Sequence, residues 1–142
     1  MPKQFHVTRT IAGPADRIWA LLTNSSGYHD WNPSIVSLDG RITQGGRIAL
    51  VSTINPKRKF KLKVTELNKP TRMVWSSGMP FGLFTGRRTF TLTERGGSTE
   101  FSMTEAFTGP LAGLITNAIP DMTESFNQFA DGLKTASEPG HA

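Results

Sequence analysis

The chain of 142 residues has no cysteine, which removes disulfide staples, thiolate nucleophiles, cysteine-ligated zinc and iron–sulfur clusters together. A reducing compartment suits such a chain, and the expectation is a soluble, cytoplasmic protein. Long apolar runs are missing too. Nowhere do about 18 apolar residues follow one another, so no integral membrane association is expected. The opening Met1-Pro2-Lys3-Gln4-Phe5-His6 carries no apolar export core. Histidines are few: His6 falls in a strand, His29 in a loop and His141 near the end, and no two stand at metal-ligand spacing. The HExxH, GxSxG, GxGxxG and GK[ST] patterns do not occur. These absences disfavour hydrolase, zinc-enzyme and nucleotide-binding chemistry; neither a metal nor a cofactor is expected.

Positive charge is present in excess, 16 Lys and Arg against 11 Asp and Glu for a net +5, but it is mostly scattered. The one dense run, Lys57, Arg58, Lys59, Lys61 and Lys63, follows a turn-like Asn55-Pro56 and alternates with Phe60, Leu62 and Val64. Its lysines should face outward as a solvated strand surface that also guards a sheet edge. No nucleic-acid partner is expected, and contact of this run with RNA or an anionic membrane is the competing reading.

Hydrophobic periodicity gives the order of elements. Phe5, Val7, Arg9 and Ile11 alternate with His6, Thr8 and Thr10, the mark of a half-buried strand. Gly13-Pro14 stops it, and Pro14-Ala15-Asp16 opens a short helix with Ile18, Leu21 and Leu22 on one face. The turn-rich segment 24–33 has room for one more helical turn, with Tyr28 and Trp31 in the corner. Strands are then expected over 35–38, 47–54, 60–67, 73–77, 84–94 and 99–107, antiparallel because no helix separates them. Gly96-Gly97 makes a two-residue turn that fixes the last hairpin, with Leu92 opposite Phe101, Phe90 opposite Met103 and Arg88 opposite Glu105 on one face. From Leu111 to Leu133 the period changes to helical, with Pro120 producing a kink or a break between a short helix and a longer one.

This order predicts an α+β helix-grip fold: a seven-stranded curved antiparallel sheet around a long C-terminal helix, with two short helices between strands 1 and 2. One domain is expected over 1–137, with a flexible tail at 138–142. One helix cannot fill such a sheet, so an apolar cavity is expected between them.

Several segments resemble the START-like or Bet v 1-like superfamily (SRPBCC), which includes polyketide cyclases, aromatases and lipid carriers. They are the opening run 11–19, Trp31-Asn32-Pro33, Trp75, the run 82–92, Gly96-Gly97-Ser98-Thr99, and Glu105-Ala106-Phe107-Thr108-Gly109. The likeness covers nearly the whole chain and is greatest to the small bacterial branch. In that branch the position of Arg88 is often a histidine. Arginine stays protonated, so a proton-transfer role at that position is not carried over.

The candidate site is the cavity lining: Trp31, Trp75, Met79, Phe81, Phe84, Arg88, Phe90, Met103, Glu105, Phe107, Met122 and Phe126. Two charges aimed into an apolar interior must pair, and Arg88 with Glu105 either satisfies itself or anchors a ligand's carboxylate or hydroxyl. Three function classes follow. The first is a carrier or sensor of a hydrophobic small molecule such as a lipid, polyketide or aromatic metabolite. The second is a cyclase or dehydratase using polar groups such as His29, Asp30, Arg88 and Glu105, although no catalytic residue is assigned. The third is a chaperone-associated interaction module docking through the apolar loop 79–84. The partner is expected to be the hydrophobic ligand itself, bound by a monomer or homodimer.

Overall fold

The computed structural model describes residues 4–78, 80–115 and 121–138. Along the chain these form β1 (Gln4–Ile11), α1 (Ala15–Thr23), a 3₁₀ turn (Ser25–Gly27), α2 (Tyr28–Trp31), β2 (Ile35–Asp39), β3 (Arg47–Ser52), β4 (Asn55–Asn68) and β5 (Arg72–Gly78). A short turn (Pro80–Gly82), β6 (Thr85–Arg95), β7 (Ser98–Thr108), α3 (Ala112–Ile115) and α4 (Thr123–Ser137) complete the order. The strands make one seven-stranded sheet in the order β1-β7-β6-β5-β4-β3-β2. Every neighbouring pair is antiparallel.

Alternation decides which face is buried. Phe5, Val7 and Ile11 of β1 point inward, and so does Arg9, for a reason the sequence alone does not supply. Its Nε donates to Asp131 Oδ1 of α4 at 2.7 Å and its Nη2 to Asn127 Oδ1 at 3.0 Å, so the strand's inward charge clamps the helix. In the β6–β7 hairpin Gly96 and Gly97 adopt φ of +57° and +87°, the pair of positive values a two-residue turn of matching twist requires. The register then runs as the turn dictates, with Leu92 opposite Phe101, Phe90 opposite Met103 and Arg88 opposite Glu105. The β3–β4 turn differs from expectation. Ser52 pairs with Asn55, so Thr53-Ile54 turns the chain and Asn55-Pro56 already belongs to β4. Proline is tolerated there because the start of β4 extends past β5 and has a ladder partner on one side only.

Helix α4 lies across the concave face and buries Phe126, Phe129, Ala130 and Leu133. Its close approach to α2 needs Gly132, where a Cβ would come within 2.0 Å of the Trp31 carbonyl oxygen. Asp121 Oδ1, one residue before the N-cap Met122, accepts from Thr123 N at 2.9 Å and so satisfies the first N–H of α4. The expected apolar stripe from Leu111 to Leu133 is resolved into α3, of four residues, and α4, of fifteen. Residues 116–120, and with them the expected kink at Pro120, lie outside the described residues. Leu114, placed on the buried stripe by its spacing, is 74% exposed. The last described residues are held: Ser137 is buried, and Glu138 Oε2 accepts from Ala12 N at 3.1 Å and from Lys134 Nζ at 2.6 Å.

Candidate functional site

Cross-strand register lines up one inward row: Phe5 of β1 pairs with Glu105 of β7, Glu105 with Arg88 of β6, Arg88 with Trp75 of β5, and Trp75 with Val64 of β4. Two charges therefore stand in an apolar row. Arg88 Nε donates to Glu105 Oε1 at 2.6 Å, with the side chains 12% and 16% exposed. The Arg88 guanidinium also lies over the Phe126 ring of α4, 4.9 Å from its centroid, a cation–π contact strengthened by partial desolvation. The pair is monodentate. Among the described residues Nη1 and Nη2 of Arg88 have no hydrogen-bond partner, so the fork that would grip a carboxylate with two parallel bonds is left open.

One step toward the rim, Phe84 and Phe107 stack with centroids 5.7 Å apart and an interplanar angle of 12°. Gly86 makes room for the Phe107 ring, because a Cβ there would stand 3.2 Å from Phe107 Cε1. Phe84 and Met122 are half-buried. The open fork and a partly exposed apolar surface thus sit together at one end of the grip.

One step inward, the space is filled. Phe129 meets the rings of Tyr28, Trp31, Phe90 and Phe101 at centroid distances of 5.9, 5.4, 5.8 and 6.2 Å. Trp75 packs on Phe90 at 4.7 Å, and Trp31 on Tyr28 at 4.8 Å. The Tyr28 hydroxyl donates to Leu22 O at 2.5 Å. Burial pushes that hydroxyl far above the usual tyrosine range, with the nearby positive charge of Arg88 pulling weakly the other way. It is a structural donor and no base. Among the described residues the indole Nε1 atoms of Trp31 and Trp75 are buried without an acceptor, a cost that ring packing offsets.

The expected cavity residues thus divide. Arg88, Glu105, Phe84, Phe107, Phe126 and Met122 come together at one end of the grip, where Phe84 and Met122 are half-buried while Phe107 and Phe126 are buried core. Trp75, Phe90 and Met103 are at most 1% exposed and belong to packed core; Trp31 stands half-buried beside them. Phe81 is 99% exposed and points away from the interior. Met79 lies outside the described residues. His29 and Asp30 pair with each other at 3.4 Å on the outside of α2, so neither joins the interior polar pair. Among the described residues, aromatic packing fills the part of the expected gap around Tyr28 and Phe129. The clefts of about 810 and 510 Å³ both lie outside the grip, one between the first 3₁₀ turn and β2, the other on the outer face of β3–β5. Tyr28 and Phe129, the hubs of that packing, were not singled out as site residues; the turn-rich setting of Tyr28 conceals a fully buried side chain. Among the described residues no helix is long and apolar enough to cross a membrane, and no cluster could hold a metal ion.

A family model described as polyketide cyclase / dehydrase and lipid transport matches residues 2–138. The chain belongs to that family. Solved structures agree on the fold. The Zhui aromatase/cyclase from a Streptomyces species superposes with a TM-score of 0.74 at 14% identity, covering 96% of this chain and 94% of that one. A norcoclaurine synthase from Thalictrum flavum, solved in complex with a transition-state analogue, gives 0.71 at 14% identity over 96% and 94%. A Thermus thermophilus protein gives 0.70 at 21% identity over 93% and 94%. No curated protein matches the chain in sequence. The expected superfamily and helix-grip fold are therefore as read from the sequence.

Proposed function

We propose that the protein binds a hydrophobic small molecule, a lipid, polyketide or aromatic metabolite, as carrier or sensor. The apolar body lies against Phe84, Phe107, Met122 and Phe126, and an acceptor group sits on the Arg88 fork. The observation that carries this reading is the monodentate Arg88–Glu105 pair. Glu105 occupies Nε and so orients a fork whose outer nitrogens have no hydrogen-bond partner among the described residues. Partial desolvation makes an acceptor on that fork worth more than in bulk water. A carboxylate, phenolate or carbonyl at the end of an apolar body is the matching chemistry.

Support from the family is of the coarse kind: its description joins cyclisation, dehydration and lipid transport, and the aromatase/cyclase and the synthase share the fold. A cyclase or dehydratase would use the same pocket. The carrier reading is preferred because the tyrosine hydroxyl is locked in a backbone hydrogen bond and the histidine–aspartate pair faces solvent.

Native mass spectrometry of the protein purified from cells, followed by denaturing extraction, tests this reading. A released lipid or aromatic metabolite that rebinds without chemical change is the expected result. A compound that is converted on rebinding would make the enzyme reading correct. An empty protein that gains no thermal stability from fatty acids, sterols or aromatic polyketides would overturn both in favour of an interaction module.

A further inference from the structure

The end of the grip that holds the Arg88–Glu105 pair carries a second feature that ligand binding does not use. Loop 80–84 leaves β5 and enters β6 with Phe81 99% exposed at φ +61°, a left-handed conformation that a bulky side chain adopts only at a cost. Leu111 N donates to Leu83 O at 3.0 Å, which ties the α3 segment to this loop. Leu114 of α3 and Leu83 of the loop are 74% and 39% exposed. The Thr53-Ile54 turn lies at the same end of the sheet, one strand over from β5, and Ile54 is 37% exposed. Single exposed apolar residues are ordinary, but four gathered at one end are not.

The segments that carry them are basic, while Asp39, Glu105 and, beside Met122, Asp121 and Glu124 supply the acidic groups nearby. Segments 53–63, 80–88 and 108–115 carry Lys57, Arg58, Lys59, Lys61, Lys63, Arg87 and Arg88, and not one Asp or Glu. Lys59 is 3.5 Å from Asp39 and Arg88 is paired with Glu105. Lys57, Lys61 and Arg58 have no carboxylate partner among the described residues, and Arg58 lies over Phe60 at 4.8 Å. Lys63 stands directly opposite Arg47 in the register, a like-charge pair that an anionic partner would relieve.

We propose that this end of the protein docks on an anionic lipid bilayer. Phe81 and Leu114 enter the interface, and the β3–β4 hairpin lays its basic side chains on the headgroups. Apolar tips ringed by unpaired cations are the combination that interfacial binding uses, each weak alone and effective together. Docked this way, the end of the grip that holds the Arg88–Glu105 pair faces the membrane. The inference goes beyond ligand binding and is measured without any ligand.

Co-sedimentation of the full chain with vesicles tests it, using phosphatidylcholine alone and phosphatidylcholine with about one third phosphatidylglycerol. Binding to the anionic vesicles, weakened by added salt, and little binding to the neutral ones is the expected result. Phe81→Ser should lower the partition coefficient by about tenfold at unchanged melting temperature, since the ring is buried against nothing. Lys57→Gln and Lys61→Gln should each lower it by about fivefold. No sedimentation with anionic vesicles, or equal sedimentation of wild type and Phe81→Ser, overturns the proposal. So does a dimer seen by light scattering that Phe81→Ser dissolves in the absence of vesicle binding, which would assign the patch to a second copy of the chain. Phe81→Ser that keeps ligand affinity while losing vesicle binding separates this inference from the ligand site.

Discussion

The two ends of the grip are built from the same strands and differ in how their polar groups are spent. At the closed end, the C-terminus of α4 is latched to the start of the chain. Arg9 holds Asp131 and Asn127, Glu138 accepts from Ala12 N, Arg17 Nη1 donates to Ser137 O at 3.2 Å, and Glu94 Oε1 accepts from Ala15 N at 2.7 Å. Beneath that latch Ile11, Ile18, Leu22, Phe101 and Leu133 are fully buried. At the other end an equally apolar set surrounds one ion pair whose outer guanidinium nitrogens have no partner among the described residues, and its rim exposes Phe81 and Leu114. Apolar content does not distinguish core from proposed site in this fold. Among the described residues, the unpartnered donors of the proposed site are the charged outer nitrogens of Arg88, whereas the unpartnered buried atoms elsewhere, Trp31 and Trp75 Nε1, Asn32 Nδ2 and Ser137 Oγ, are neutral.

The largest expected effect that tests this contrast is at the hub of the closed end. Phe129→Ala should cost about 4 kcal/mol in chemical denaturation because the ring touches four others. Phe84→Ala at the rim should cost only about 1 kcal/mol; equal losses would erase the distinction between the ends. Glu105→Ala should cost about 2 to 3 kcal/mol by leaving Arg88 without its partner, whereas the double change Arg88→Met with Glu105→Leu should be close to neutral. Gly132→Ala is expected to lose about 1 to 2 kcal/mol despite its better helix propensity, because the added methyl group meets the Trp31 carbonyl.

The smallest effect concerns pH. Lys134 and the Ala12 amide hold the Glu138 carboxyl below its usual 4.5. A depressed carboxyl stabilises the fold at pH above its unfolded value, and that contribution fades as pH falls through the folded one. Glu138→Gln should therefore flatten the acid limb of the stability profile below about pH 4.5 and leave the ligand site unchanged.

Much of this was legible in the residues. Period-2 alternation and the Gly96-Gly97 turn placed Arg88 opposite Glu105 because a two-residue turn leaves no freedom of register. The helix-grip order followed from strands uninterrupted by helices. The filling of the grip was not legible. Whether Trp75 and Phe90 line a space or a core depends on Phe129 and Tyr28 arriving from α4 and α2, and such long-range contacts leave no local pattern. The outward Leu114 was misplaced for a related reason, since spacing assigns a stripe but not the point at which the helix leaves the core. Arg9 shows the converse: the alternation put it inward correctly, and only the docked helix explains why a charge is tolerated there.

On the proposed function, the Arg88 fork receives the acceptor group of an apolar ligand. Isothermal titration with matched pairs, dodecanoate against dodecanol and 2-naphthoate against 2-methylnaphthalene, tests it most directly on the wild type and on the Arg88→Met/Glu105→Leu double variant. The account predicts that the wild type favours the acid of at least one pair by about tenfold or more, and that the double variant keeps its melting temperature and loses that preference. An acid preference that survives in the double variant, or a wild type indifferent to the acceptor group, would contradict it.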